Sequence, residues 1–189
     1  MAATSNGGVT VGDTDLDLDA QPRLGSADAP VSLVFFEDFL CPHCGTFTET
    51  VVPRLEREFV DAGTASIHFV NFVVIGPEAE RIAHVGECVA SQGRDGFWAF
   101  EKAAFRSQAG LTERRSIELA KEYVDGLDAA ALDRCVEGDE QLAAVRADGA
   151  IARELGLTGT PSVLVNGTQV DPTYDAIARA IASAVDGER

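Results

Sequence analysis

A chain of 189 residues that is 46% hydrophobic suits one domain with a sizeable core, and none of its apolar runs approaches the ~20 residues needed to span a bilayer. With 31 acidic against 15 basic residues the formal net charge is −16, which repels nucleic acid and anionic lipid and sets both aside as partners. Only Lys102 and Lys121 among the bases are lysines, and dense carboxylate with scarce lysine fits adaptation to high salt; the alternative is an ordinary acidic protein of a GC-rich genome.

Residues 1–27 are polar, rich in Gly, Asp and Ser, and are expected to form a tether. Within them DTDLDLD alternates, which predicts a short edge strand. Residues 1–8, MAATSNGG, show neither the basic nor the apolar region of a secretory signal. Ala29-Pro30 then leads into VSLVFFEDF, an apolar run predicted to be a buried strand. The pair Cys41 and Cys44 follows at once, with Pro42 and His43 between. It opens a helical pattern in which Phe47, Val51, Leu55 and Phe59 recur at i+4, with Pro53 expected to kink it. Ala65 to Val74 reads as a second buried strand, reached through a turn at Asp61-Ala62-Gly63. From Gly76 to about Leu157 five segments carry helical spacing, with caps predicted at Asp95, Thr112 and Asp128. The β period returns at PSVLVNGTQV, where Asn166-Gly167 is a strong hairpin signal. A final amphipathic helix is expected over roughly Tyr174 to Val185.

A C-x-x-C at the start of a helix that follows a buried strand has a physical reason to be reactive. Unpaired N–H groups and the positive end of the macrodipole stabilise a thiolate there. The first cysteine is the better placed, and such sites depress thiol pKa values to about 3.5–7.5. Pro42 suits the first helical turn, where its missing N–H has no partner to lose. His43 adds positive charge or an N–H donor. A zinc site is the rival reading. Cys41, His43 and Cys44 are its candidate ligands, but a structural site needs about four, and the chain holds no second C-x-x-C. No metal and no organic cofactor is expected.

CPHC after VFFEDFL, the long helical block, and the later TGTPSVLVNG together resemble the DsbA-like thiol–disulfide oxidoreductases of the thioredoxin superfamily. The resemblance covers about Ala29 to Ala184. It implies an α/β thioredoxin fold, residues 28–75 and 156–189, with an all-helical subdomain, 76–155, inserted into it. It also implies roles. Cys41 would be the exposed nucleophile, Cys44 the buried resolving thiol, and His43 the tuner of Cys41. Pro161 would be the cis-proline facing the site, and the Thr160 backbone would pair with extended substrate. Many relatives carry a buried acid six residues before the first cysteine; here that position is Phe35. Glu37 lies two residues along the strand, on the same face, and is the candidate replacement for moving protons, against a plain solvated strand end.

Cys88 and Cys135 lie in the helical block as free buried thiols or as a structural disulfide, and the extracytoplasmic setting of the family favours pairing. Phe97, Trp98 and Phe100 are expected to be core of the insertion, and His68 and His84 structural. The implied activity is donation of a disulfide to unfolded or reduced secreted or surface proteins. The implied partner is a membrane reoxidase of DsbB or VKOR type, and a monomer is expected. An isomerase or reductase of the same fold, or a redox-inert binding module built on it, are the alternatives.

Overall fold

The computed structural model describes residues 8–11 and 14–187. Its main sheet has five strands, β3 (Arg23–Leu24), β4 (Val31–Glu37), β5 (Ala65–Asn71), β6 (Ser162–Val165) and β7 (Thr168–Val170), in the order β3-β5-β4-β6-β7. The central strand β4 runs parallel to β5 and antiparallel to β6, with Phe35 opposite Phe69 on one side and Val163 on the other. All seven β4 residues are buried, and five of them are apolar, with Ser32 and Glu37 the exceptions.

Strand alternation divides that run between two cores. Leu33 and Phe35 face one that includes Phe47, Leu55, Ile67, Phe97 and Ile177. Val34 and Phe36 face a smaller one with Val70, Leu157 and Leu164. Leu16 and Leu18 complete the smaller core, 1% and 2% exposed. This corrects the tether expected over 1–27. The polar composition conceals two leucines that cover a sheet face, so from residue 16 the segment is packed chain. The DTDLDLD strand exists as β2 (Thr14–Asp17), but it pairs antiparallel with β1 (Gly8–Val11) in a separate two-stranded ribbon. Residues 1–7, 12 and 13 of the expected tether lie outside the described residues.

The helix after the cysteine pair is interrupted as the sequence predicts. α1 (Pro42–Thr50) ends at Val51, and α2 (Val52–Leu55) begins with Pro53 in its first turn. A π-helical turn, Glu56–Val60, continues it, closed by the Asp61 N–H on the Glu56 carbonyl. Five helices form the block between β5 and β6: α3 (Pro77–Ala90), α4 (Arg94–Arg106), α5 (Glu113–Tyr123), α6 (Ala129–Glu137) and α7 (Leu142–Glu154). Thr112 and Asp128 cap α5 and α6, accepting from the Arg115 and Ala131 N–H groups. Asp95 does not cap. Gly93 takes that place at φ 153°, so α4 starts two residues early and Asp95 sits in its first turn, where an acid still complements the dipole.

Phe97, Trp98 and Phe100 are buried in the insertion, as expected. Cys88 on α3 and Cys135 on α6 are joined by a disulfide. At the β6–β7 turn Asn166 and Gly167 both have positive φ, 44° and 79°, the two-residue geometry that matches strand twist. The Asn166 side chain also accepts from the Ser32 N–H at 2.8 Å and so ties the turn to the start of β4. α8 (Tyr174–Gly187) buries Ile177 and Ile181 against the larger core. No helix among the described residues is long and apolar enough to cross a membrane.

Candidate active site

The loop between β4 and α1 is fixed by Asp38, which is 1% exposed. One carboxylate oxygen accepts from the Leu40 N–H at 2.8 Å, and the other from the Val74 and Ile75 N–H groups at 2.7 and 2.8 Å. Its backbone carbonyl accepts from the Cys41 N–H at 2.9 Å. Phe39 stacks on Phe69 and Phe105 and meets Phe100 edge-on, so the insertion grips the loop from the far side. Gln108, just beyond α4, donates from one amide nitrogen to the Phe39 and Cys41 carbonyls at 2.9 and 2.8 Å. Gly45 makes room for it, since a Cβ there would lie 2.8 Å from the Gln108 side-chain oxygen.

Gln108 was not singled out in the sequence. Its signal was a glycine in the first turns of a helix, a costly choice that marks close approach. Exchanging Gln108 for leucine leaves two loop carbonyls without their donor. We expect a loss of about 2 kcal/mol in urea unfolding, with faster amide exchange at residues 39–41.

Cys41 occupies the N-cap position of α1 and Pro42 the first helical position. Both cysteines of the pair are free thiols. Cys44 is fully buried, as the resemblance implies. Cys41 was expected to be exposed, yet it is only 5% accessible. The reason is the loop before β6: the Cys41 thiol donates to the Thr160 carbonyl at 3.3 Å, and the Thr160–Pro161 peptide bond is cis. Pro42 and His43 are exposed. His43, Phe47, Val51, Thr160, Pro161 and Tyr174 help to line a groove of about 460 Å³. The structure thus brings Cys41, Pro42, His43, Cys44, Thr160 and Pro161 together.

Glu37 is not a solvated strand end; it is 2% exposed. Its carboxylate accepts from the Thr48 hydroxyl at 3.4 Å. Burial above all, then the neighbouring Glu101 carboxyl, holds Glu37 well above the usual carboxylate range. Burial, then the Glu37 charge, pushes the Cys44 thiol up as well. Glu101, on α4 and 3% exposed, is raised to about 8, chiefly by burial. It escaped the sequence reading although Phe97, Glu101 and Phe105 share one helical face, where a lone acid among aromatics is the signal. His68 and His84 are structural: His68 is held down to about 4 by burial, and His84 accepts from the Gln141 N–H at 3.3 Å.

The site holds one sulfur at a helix start, under the Thr160 carbonyl, and a second in the interior beside a protonatable acid. Comparison with known proteins agrees with that chemistry. The thioredoxin family model matches residues 17–183. The chain is 36% identical over 166 residues to a probable disulfide bond formation protein D of Bacillus anthracis, an alignment covering 85% of this chain and 76% of that one. The crystal structure of oxidised BdbD from Bacillus subtilis superimposes with a TM-score of 0.84 at 26% identity, over 90% of this chain and 96% of that one. Chlamydia trachomatis DsbA shares the fold, with a TM-score of 0.79 at 20% identity over 89% of this chain and 91% of that one. The chain belongs to the thioredoxin family, and within it is a DsbA-like protein thiol–disulfide oxidoreductase with a helical insertion.

Proposed function

We propose that this oxidoreductase works outside the cytoplasm as a disulfide donor to reduced or unfolded secreted and surface proteins. The observation that carries the reading is the asymmetry of the two sulfurs: Cys41 sits at a helix start against the Thr160 carbonyl, whose residue lines an open groove, and Cys44 is fully buried next to Glu37. The oxidised pair accepts attack by a substrate thiolate on the Cys41 sulfur. The Cys41–Cys44 bond breaks, a Cys41–substrate bond forms, and the electron pair leaves on Cys44. A second substrate thiolate then attacks the substrate sulfur of the mixed disulfide. Substrate departs with a new disulfide, and the Cys41 sulfur leaves as an anion favoured by the helix N-terminus. The enzyme is left as the dithiol, two electrons richer.

In this reading the Thr160 backbone and Pro161 seat an extended substrate segment beside Cys41, and the exposed His43 adds a donor or positive charge at its sulfur. Glu37 supplies and recovers the proton at Cys44. Return to the disulfide needs an oxidant, and a quinone-linked membrane protein of DsbB or VKOR type fits that role.

Equilibration with glutathione in high-salt buffer, with Cys88 and Cys135 followed separately, tests the direction. The expected potential lies nearer the ~−120 mV of DsbA than the ~−270 mV of thioredoxin. A reducing, thioredoxin-like value moves the protein to the reductase side. No exchange at all leaves a redox-inert member of the fold.

A further inference from the structure

The Cys88–Cys135 disulfide has a third member that the exchange chemistry does not use. His84 lies one turn before Cys88 on α3, and its Nε2 stands 3.5 Å from the Cys88 sulfur. His84, Cys88 and Cys135 are 0%, 0% and 5% exposed. One ligand atom from each falls within 4.8 Å of the other two, and no other such trio of His, Cys, Asp or Glu gathers among the described residues. The imidazole is poorly satisfied where it stands. Its Nε2 accepts one long bond, from the Gln141 N–H at 3.3 Å, which leaves the ring proton on Nδ1. Nδ1 is buried with no hydrogen-bond partner. An apolar ring would fill the same space at less cost, and a buried polar group so served calls for a role or a ligand.

The donor set and its spacing name the ligand. Two cysteine sulfurs and a neutral imidazole, with two of the three donors four residues apart on one helix, make a Cys₂His zinc set. Zinc in a tetrahedral site holds sulfur at about 2.3 Å and nitrogen at about 2.0–2.1 Å, which puts the two donors about 3.6 Å apart. The Nε2 to Cys88 sulfur distance of 3.5 Å already meets that value. The two sulfurs need about 3.8 Å between them, which requires that their bond first be reduced. The surroundings favour a cation. Arg81 and three carboxylates, Glu113, Asp139 and Glu140, act on His84, and Arg81 is itself paired to Glu113 and Asp139.

We propose that the chain binds one zinc ion through His84, Cys88 and Cys135 while the two cysteines are reduced, and that formation of the disulfide expels it. On binding, the two thiols lose their protons to solvent, the Gln141 N–H gives up Nε2, and water completes the fourth position. On oxidation, one zinc-bound sulfur attacks an incoming disulfide, and the second attacks the mixed disulfide that results. The Cys88–Cys135 bond forms and the incoming bond breaks. Its two sulfurs carry away the electron pair, take two protons from solvent and leave as thiols, and the zinc ion is released. A newly made chain carries four thiols, for which three pairings exist. An ion on Cys88 and Cys135 withholds both from Cys41 and Cys44, and it joins α3 to α6 before the disulfide does.

The test uses the full chain with Cys41→Ser and Cys44→Ser, so that the catalytic pair contributes no ligand. The reduced, oxygen-free protein is titrated with cobalt(II) as a spectroscopic probe and then with zinc(II) in competition, and circular dichroism verifies the fold of each variant. We expect one equivalent of cobalt with sulfur-to-metal charge-transfer absorption, displaced by zinc. His84→Ala should weaken uptake by at least about tenfold. Cys88→Ser with Cys135→Ser should abolish it. With the trio intact, adding oxidised glutathione to the zinc-loaded chain should release one zinc ion for each Cys88–Cys135 bond formed, read with a chelating dye. A reduced chain that takes up no cobalt overturns the proposal. So does uptake that survives the loss of Cys88 and Cys135, or an affinity indifferent to His84.

Discussion

Glu101→Gln is expected to raise stability at alkaline pH by up to about 5 kcal/mol and to leave it within about 1 kcal/mol of the parent at pH 4. The sign follows from which state holds the proton. In the unfolded chain the carboxyl titrates near the model value of 4.5, and in the folded chain near 8. Below 4.5 both states are protonated and burial of the neutral acid is tolerated. As pH rises from 4.5 towards 8, the unfolded chain releases a proton that the folded chain keeps. The unfolded state then binds fewer protons, and stability falls with rising pH. Glutamine imitates the neutral acid at every pH and removes that loss. Glu37 is raised for the same reason, and Glu87 to about 7, so they push in the same direction, as does self-repulsion of a −16 chain. His68 opposes them at the acid end. It titrates at about 4 when folded against 6.5 in its model state, so its contribution is lost as pH falls through that interval. Urea unfolding across pH for parent and variant checks the claim. Parallel curves with no convergence at low pH would mean that Glu101 binds its proton equally in the folded and unfolded chain.

Replacing Cys88 and Cys135 together by alanine is expected to lower the unfolding free energy by about 4 kcal/mol. The bond closes a loop spanning a sequence separation of 47 and ties α3 to α6, both of which contribute to the larger core. Its main effect is to deny the unfolded chain the conformations in which those helices are far apart. Chain-entropy cost grows only slowly with loop length, so the estimate depends little on where the loop is counted to end. The expected readout is a drop in the urea midpoint with a slope equal to or steeper than the parent's, since the freed unfolded chain exposes more surface. The glutathione equilibrium of the Cys41–Cys44 pair should remain near that of the parent, because the two bonds are carried by different parts of the chain. A midpoint unmoved by the double replacement would show that the helices are held by packing alone.

What the sequence made legible was local. CPHC after a buried strand, the Asn166-Gly167 turn and the five helical segments each carry their signal within a few residues, so motif, hairpin and insertion were all placed. The break near Pro53 follows from a missing N–H. What escaped depends on which distant surface a residue meets. The alternation of DTDLDLD was visible, but not that Leu16 and Leu18 cover Val34 and Phe36, which turned an expected tether into packed chain. Cys41 was expected in the open because no local rule shows that the Thr160 carbonyl would lie over its thiol. Glu37 was a candidate on strand parity, and the structure buries it. Glu101 and Gln108 reach the site from the insertion, and only the fold brings α4 and the residues after it against α1.

The grip of the insertion on the loop before Cys41 bears on how separable the two halves of this chain are. Phe39 rests on Phe100 and Phe105, and the Cys41 carbonyl depends on Gln108, all supplied from the inserted block. A chain shortened by splicing residue 75 to residue 156 would retain both cysteines, the proline and the strands that order them. It would nevertheless expose an aromatic ring and strand a carbonyl beside the reacting sulfur. The block is therefore no optional lid on a self-sufficient catalyst. It is a wall of the reaction chamber, and variation within it is felt at the sulfur as directly as variation in the motif.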